Sequence, residues 1–296
     1  MPNTIPAAAG YGSFLNGDLF PTIFAGHVIH QLQKASVADQ ITNTLFEGDI
    51  NGGGSSVKII KAPVITVETG YGKGAALNLQ HVDAQSLDLL IDQNARFSFV
   101  VDDISKYLSN LDLGDMTLKD AVYRMRDTFD TNILTYMGNQ ATSFTSGTIG
   151  FGASDIDPIN VFAQAREVLE LANAPYEECF AVISPTYMKF LQAVESKLLN
   201  AEQMNNGAKS PLITPARPKF NLNGMDVYVS NNVTSTVPLF GHKSAVSTAK
   251  AFSNYESQRL VSEGFGDLFK AEMVWGRLAV RPEVLFKTTV TFGTLG

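Results

Sequence analysis

The residues able to do chemistry are few, and their spacing speaks against catalysis. Gly70, Tyr71, Gly72, Lys73 and Gly74 surround a lysine with glycines, the composition of a phosphate-binding loop. Such a loop needs GxxxxGK followed by Ser or Thr, so that backbone N–H groups and the lysine converge on phosphate oxygens. Here Gly74 follows Lys73, and no GxxxxGK precedes it. The four histidines, His27, His30, His81 and His242, fall in no recognised motif. His27 and His30 lie one helical turn apart, but a metal site needs further ligands and none is close in sequence. Cys179 is the only cysteine, which excludes an intrachain disulfide and a cysteine-rich metal cluster. It opens the apolar run 179–183, where a thiol packs rather than reacts. Asp102 and Asp103, like Glu177 and Glu178, are adjacent pairs whose side chains need not face each other. They read as solvated acids or caps. A base beside a nucleophile, or paired acids in a cleft, is what catalysis requires. No catalytic, cofactor-binding or metal-binding residue is expected.

Composition narrows the class further. The chain has 296 residues, 45% of them apolar, enough for a substantial core. Charged residues are only 17%, against roughly 25% in an average soluble domain. A surface poor in charge suits a chain that meets copies of itself. The net charge is −7, and the first fifty residues carry Lys34 against Asp18, Asp39, Glu47 and Asp49. No basic arm is available to neutralise phosphates, so tight nucleic-acid binding is not expected. No signal peptide is legible at the N-terminus. The uncharged stretch 131–154 is too rich in Thr, Ser, Asn and Gly to span a membrane.

The elements follow from periodicity. Residues 1–20, rich in Gly, Ala, Pro and Asn, read as an extended arm, and a helix is expected after Pro21 with Phe24, Val28 and Leu32 on one face. Gly52, Gly53 and Gly54 read as a hinge. Residues 57–69 are β-branched, with Pro63 marking an edge or bend. The return arm alternates: Leu87, Leu89 and Ile91 against Ser86, Asp88 and Asp92, continued by Phe97, Phe99 and Val101. Together they predict a long two-stranded excursion whose tip is Thr69, Gly70, Tyr71, Gly72, Lys73 and Gly74. Thr117 to Asp120 reads as a capping box. Leu118, Val122, Met125, Phe129, Ile133 and Tyr136 then form one apolar stripe about 20 residues long. Gly138 and Asn139 end this helix, and 139–155 reads as a loop.

Asp157 before Pro158 caps a second helix, with Phe162, Ala165, Leu169 and Ala172 buried and Pro175 closing it. Residues 179–183 are a buried strand. Ser184 before Pro185 starts a third helix, with Met188, Leu191, Val194 and Leu198 on one face. Asn223 and Gly224 predict a type I′ hairpin across 220–229. Residues 268–274, 278–286 and 288–292 are strand-like, with Trp275 packing among them. The fold class is α+β.

The order of these pieces resembles the Hong Kong 97-type fold of tailed-bacteriophage major capsid proteins. The segments that carry the likeness are 43–48 (NTLFEG), 56–60 (SVKII), 91–103 (IDQNARFSFVVDD), 181–187 (AVISPTY), 223–230 (NGMDVYVS) and 276–283 (GRLAVRPE). Each is weak alone; their order and spacing over nearly the whole chain are specific. The resemblance implies an N-terminal arm (1–54) and an extended loop (55–98) lying over a neighbouring subunit. It implies a peripheral domain built on a long spine helix (99–156 and 255–296), and an axial α/β domain (157–254). The implied function is a structural protein of the virion. It would assemble with itself as hexamers and pentamers into an icosahedral head around double-stranded DNA, in the host cytoplasm. Implied partners are a separate scaffolding protein, because Met1 stands almost directly at the arm, a portal and a decoration protein. DNA contact would be weak and non-specific, and no membrane is involved. Lys73 stands where some relatives carry a crosslinking lysine, but no partner for it is identifiable, and a surface lysine is the default. An encapsulin-type cellular nanocompartment shares the fold; a soluble enzyme is the alternative from another class.

Overall fold

The computed structural model describes residues 36–46, 56–61, 85–102, 113–193, 219–259 and 265–293, with positions 63, 65–67, 69, 80 and 81. The expected arm over 1–20 and the helix after Pro21 lie outside them. The described chain is mixed α+β, built on two sheets.

The first sheet is long and antiparallel. β1 (Ser56–Lys61) and β2 (Gln85–Asp102) pair from Ser56↔Leu90 to Lys61↔Gln85, as the alternating pattern predicts. Beyond the ladder, Gln80 clamps the Thr66 backbone from both sides, at 3.0 and 2.7 Å, so the excursion continues outward. β8 (Val246–Arg259) and β9 (Gly266–Ala279) complete the order β1-β2-β9-β8. Gly276 sits where the backbone of β2 passes close to β9. A Cβ there would stand 2.5 Å from the Leu90 carbonyl oxygen, so only glycine fits.

The second sheet has six strands, in the order β3-β10-β7-β4-β6-β5. β4 (Cys179–Ile183) is buried at every position. β5 (Lys219–Leu222) and β6 (Met225–Val229) form the expected hairpin, with Asn223 at φ 51° and Gly224 at φ 75°. β7 (Leu239–His242) joins β4 to β10 (Leu285–Phe292). β3 (Thr142–Ile149) runs parallel to β10. Residues 139–155 are therefore not a loop throughout. Their threonines and serines, polar but β-compatible, form an edge strand once β10 lies beside them.

Three helices of more than one turn are described. The long helix expected as the spine, α2, spans Leu113–Gln140. It begins four residues before Thr117, so the capping-box reading is wrong: Thr117 and Asp120 lie inside the helix. α3 (Pro158–Leu171) starts as expected, with the Asp157 side chain accepting from Ile159 N at 3.0 Å. It ends in a Schellman turn, where Ala174 N donates to Leu169 O and Asn173 N to Glu170 O, with Asn173 at φ 56°. α4 (Pro185–Leu191) is capped by Ser184, which accepts from Tyr187 N at 3.1 Å. Of the expected face, Leu191 is buried and Met188 half-buried against the core, Val194 and Leu198 lie outside the described residues, and Tyr187 and Phe190 add a second buried row. A single-turn helix, α1 (Ala38–Ile41), precedes β1.

The main core joins α2, α3 and α4 to the six-stranded sheet and to the near end of the long sheet. There Trp275 meets Phe129 edge-on at 5.6 Å, and its Nε1 donates to Asn132. A second, small core of Ile59, Leu89 and Ala249 lies under the hairpin. The six-stranded sheet crosses the expected domain divisions at 156/157 and 254/255, since β3 and β10 fall in the segments 99–156 and 255–296 and β4 to β7 in 157–254.

Candidate assembly surfaces

The described groups that could do chemistry are engaged in packing. Among the described residues, Cys179 and His242 are register partners on β4 and β7. Cys179 Sγ donates to Pro175 O at 3.2 Å and accepts from Arg166 Nη1 at 3.3 Å. Burial pushes its pKa up, the direction opposite to an activated thiolate. His242 Nδ1 accepts from Ser244 N at 3.1 Å, capping a one-turn 3₁₀ helix, and burial lowers its pKa. Arg166 is held by Glu170 at 2.9 Å and lies 3.5 Å over the Tyr176 ring. An open hollow of about 540 Å³ lies on the long sheet, lined by Arg96, Ser98, Glu256, Lys270 and Glu272. Register sets Arg96 opposite Glu272 and Glu256 opposite Lys270, cross-strand charge pairs rather than a convergent site. Among the described residues, no group of three His, Cys, Asp or Glu is arranged to hold a metal. No described helix is long and apolar enough to cross a membrane.

The hairpin presents a different chemistry. Its inner face buries Ile59 and Leu89, and strict alternation turns the neighbouring residues outward. Ile60 is 73% exposed and Leu90 58%, flanking the opposed pair Lys58 and Asp88. Ile65 and Val67, further out, are also exposed. Thr69 is exposed, whereas Gly70, Tyr71, Gly72, Lys73 and Gly74 lie outside the described residues. Single exposed apolar residues are ordinary, but four along one projecting ribbon form a surface suited to contact.

The spine-helix residues divide. Met125, Phe129 and Ile133 are buried; Leu118 and Tyr136 are half-buried; Val122 is 39% exposed. Tyr136 Oη accepts from Ala279 N at 3.2 Å and its ring underlies Arg277, so it fastens the helix to β9 by its polar end. Leu134 and Met137 are fully in the core and extend the stripe along a second row. Asp130 shares their face, and the sequence reading does not find it. It is wholly buried. Its Oδ1 accepts from Val37 N at 2.8 Å, Ala38 N at 2.7 Å and Ser36 Oγ at 3.2 Å, and its Oδ2 from Asn232 Nδ2 at 2.9 Å. The signal is its spacing, four before Leu134 and seven before Met137, which places an acid inside an apolar stripe.

Solved structures match this arrangement over almost its whole length. One from Mycobacterium phage Che8 is 24% identical, covers 92% of this chain and 97% of its own, and gives a TM-score of 0.76. The chain has the Hong Kong 97-type capsid fold. The capsid structure of cyanophage P-SCSP1u, at 15% identity, covers 99% of both chains with a TM-score of 0.69. A virus-like particle from Pyrococcus furiosus, at 14% identity, covers 86% of this chain and 92% of its own with a TM-score of 0.51. No protein-family model and no curated protein matches the chain.

Proposed function

We propose that this chain is a shell-forming structural protein, the major capsid protein of a tailed bacteriophage, and not an enzyme. The observation that carries this reading is the likeness to phage particle structures over 92% or more of the chain. The exposed apolar row on the hairpin supports it, as does the charge-poor composition. Subunits associate as hexamers and pentamers and close into an icosahedral head, the destination being the virion. The extended loop (55–98) lies over a neighbour. The peripheral domain (99–156 and 255–296) forms the shell wall, and the axial domain (157–254) surrounds the capsomer centre. Besides copies of itself, its partners are a separate scaffolding protein, a portal and a decoration protein. A net charge of −7 leaves genome packing to a separate motor, with DNA held weakly at the inner wall.

The test is electron microscopy and light scattering of the purified protein, with and without neighbouring gene products. Closed particles of megadalton mass are expected; monomers under every condition would overturn the reading. The Pyrococcus likeness, with its lower TM-score, supports an encapsulin-type nanocompartment as the second reading. The contents decide between them: packaged genomic DNA against an enclosed enzyme. Filter binding of assembled shells to duplex DNA should give affinity weaker than about 10⁻⁶ M at physiological salt.

A further inference from the structure

α1 is a helix without a cap of its own. Val37 occupies its N-cap position and offers no side-chain acceptor. A four-residue helix cannot persist on its own hydrogen bonds, because nucleation costs more than one turn returns. The missing acceptor comes from 93 residues away, where Asp130 takes both leading amides, Val37 N and Ala38 N. All four donors to Asp130 are neutral, and between them they use both of its oxygens. A buried carboxylate is stable only when so satisfied, and each bond to the charged group is stronger than a neutral one.

The same segment is tied again further along. Thr42 Oγ1 lies 2.9 Å from Thr248 Oγ1, and Asn43 exchanges backbone bonds with Val246 and Thr248 at the start of β8. Asp39 pairs with Lys250 at 2.6 Å. On the other side of the carboxylate, Asn232 bridges Asp130 and Asp127, and so ties loop 231–237 to the spine helix.

We infer that Asp130 is a pin holding three parts in fixed relation, namely the segment 36–43, the spine helix and loop 231–237, and that shell assembly depends on this pin. The second half rests on the shell-forming reading. Segment 36–43 sets the direction in which the chain enters the described fold. A pinned segment therefore fixes that entry the same way in every copy, and an unpinned one does not.

Hydrogen exchange on the full-length protein, compared with particle assembly, tests both halves. Asp130→Ala should speed exchange of the Val37 and Ala38 amides on the order of 10- to 100-fold, leave β4 amides unchanged, and reduce or deform particles. Asn232→Ala should speed exchange in loop 231–237 and leave Val37 and Ala38 protected. Unchanged exchange at 37–38 in Asp130→Ala, or an equal rise in β4, overturns the pin. If Asp130→Ala does not fold, the near-isosteric Asp130→Asn carries the test. Its oxygen can still face Val37 and Ala38, but a neutral acceptor holds each amide more weakly than a carboxylate and its NH2 group opposes that of Asn232, so exchange at 37–38 should still rise about tenfold. No rise overturns the pin. Faster exchange with normal particles overturns the assembly half alone. Absence of particles from the unmutated protein overturns the shell reading and leaves the exchange result to judge the pin.

Discussion

The two sheets of this molecule solve the same problem in opposite ways. In the six-stranded sheet, β4 is buried at all five positions, with helices and neighbouring strands completing its cover. In the long sheet, β2 alternates over 18 residues, with Leu89 buried and Leu90 beside it largely exposed. The first sheet is a core that the chain finishes by itself. The second is a ribbon whose near end is held by the spine helix and whose far end presents apolar side chains. Stability should accordingly reside in one sheet, and association in the other.

A matched pair of charges tests that contrast most severely. Ile183→Asp places an unpaired charge in β4, where burial is complete, and should abolish soluble folding. Ile60→Asp makes the same change on the ribbon's open face. It should alter subunit stability by no more than about 0.5 kcal/mol while impairing particle formation. Equal solubility of the two variants would erase the distinction. Phe129→Ala comes next, because Phe129 is the spine helix's contact with Trp275. Chemical denaturation should register a loss of about 3–5 kcal/mol; a loss under 1 kcal/mol would mean that the helix is not what holds the ribbon's near end. Gly276→Ala forces a Cβ against the Leu90 carbonyl and should cost about 1–3 kcal/mol, again by denaturation. A neutral result would show that β2 and β9 can separate there freely.

The smallest expected effect is on the compact sheet and depends on pH. His242 has its pKa lowered by burial, so the unfolded chain takes up its proton first. Stability contributed by the neutral ring is present above the ordinary value of 6.5 and declines as pH falls below it, until the folded pKa is reached. Thermal melts from pH 7.5 to 5.5 should show a Tm decline that is smaller in His242→Asn. An identical decline in both proteins would remove His242 as its cause.

What the sequence made legible is chiefly local. Asn223 and Gly224, Asp157 before Pro158, and Ser184 before Pro185 each act on backbone within a few residues, and each element forms where they place it. The hairpin was legible because period-two alternation needs no partner to be seen. Residues 142–149 were not, since a Thr- and Ser-rich strand is polar enough to read as a loop, and its partner β10 lies 143 residues onward at Thr288 and Thr145. β8 opens on small and polar residues and owes its form to register with β9. The spine helix showed its stripe but not its start, because the Thr117 to Asp120 pattern is equally at home within a helix. Asp130 was hidden for the same reason as β3: its partners at 37, 38 and 232 are remote.

The place of β10 bears on how the protein is made. It lies between β3 and β7, pairing with both, although it is the last of the described strands to be synthesised. A nascent chain emerging from the ribosome can form α3, β4 and the β5–β6 hairpin early, but a gap stays open in the sheet until residues 285–292 appear. Contacts so distant in sequence form slowly. Closure of that gap is therefore a late event in biogenesis, and a chain that stops short of it leaves two unpaired strand edges in place of a finished sheet. Truncated translation products are thereby marked as defective by their own architecture.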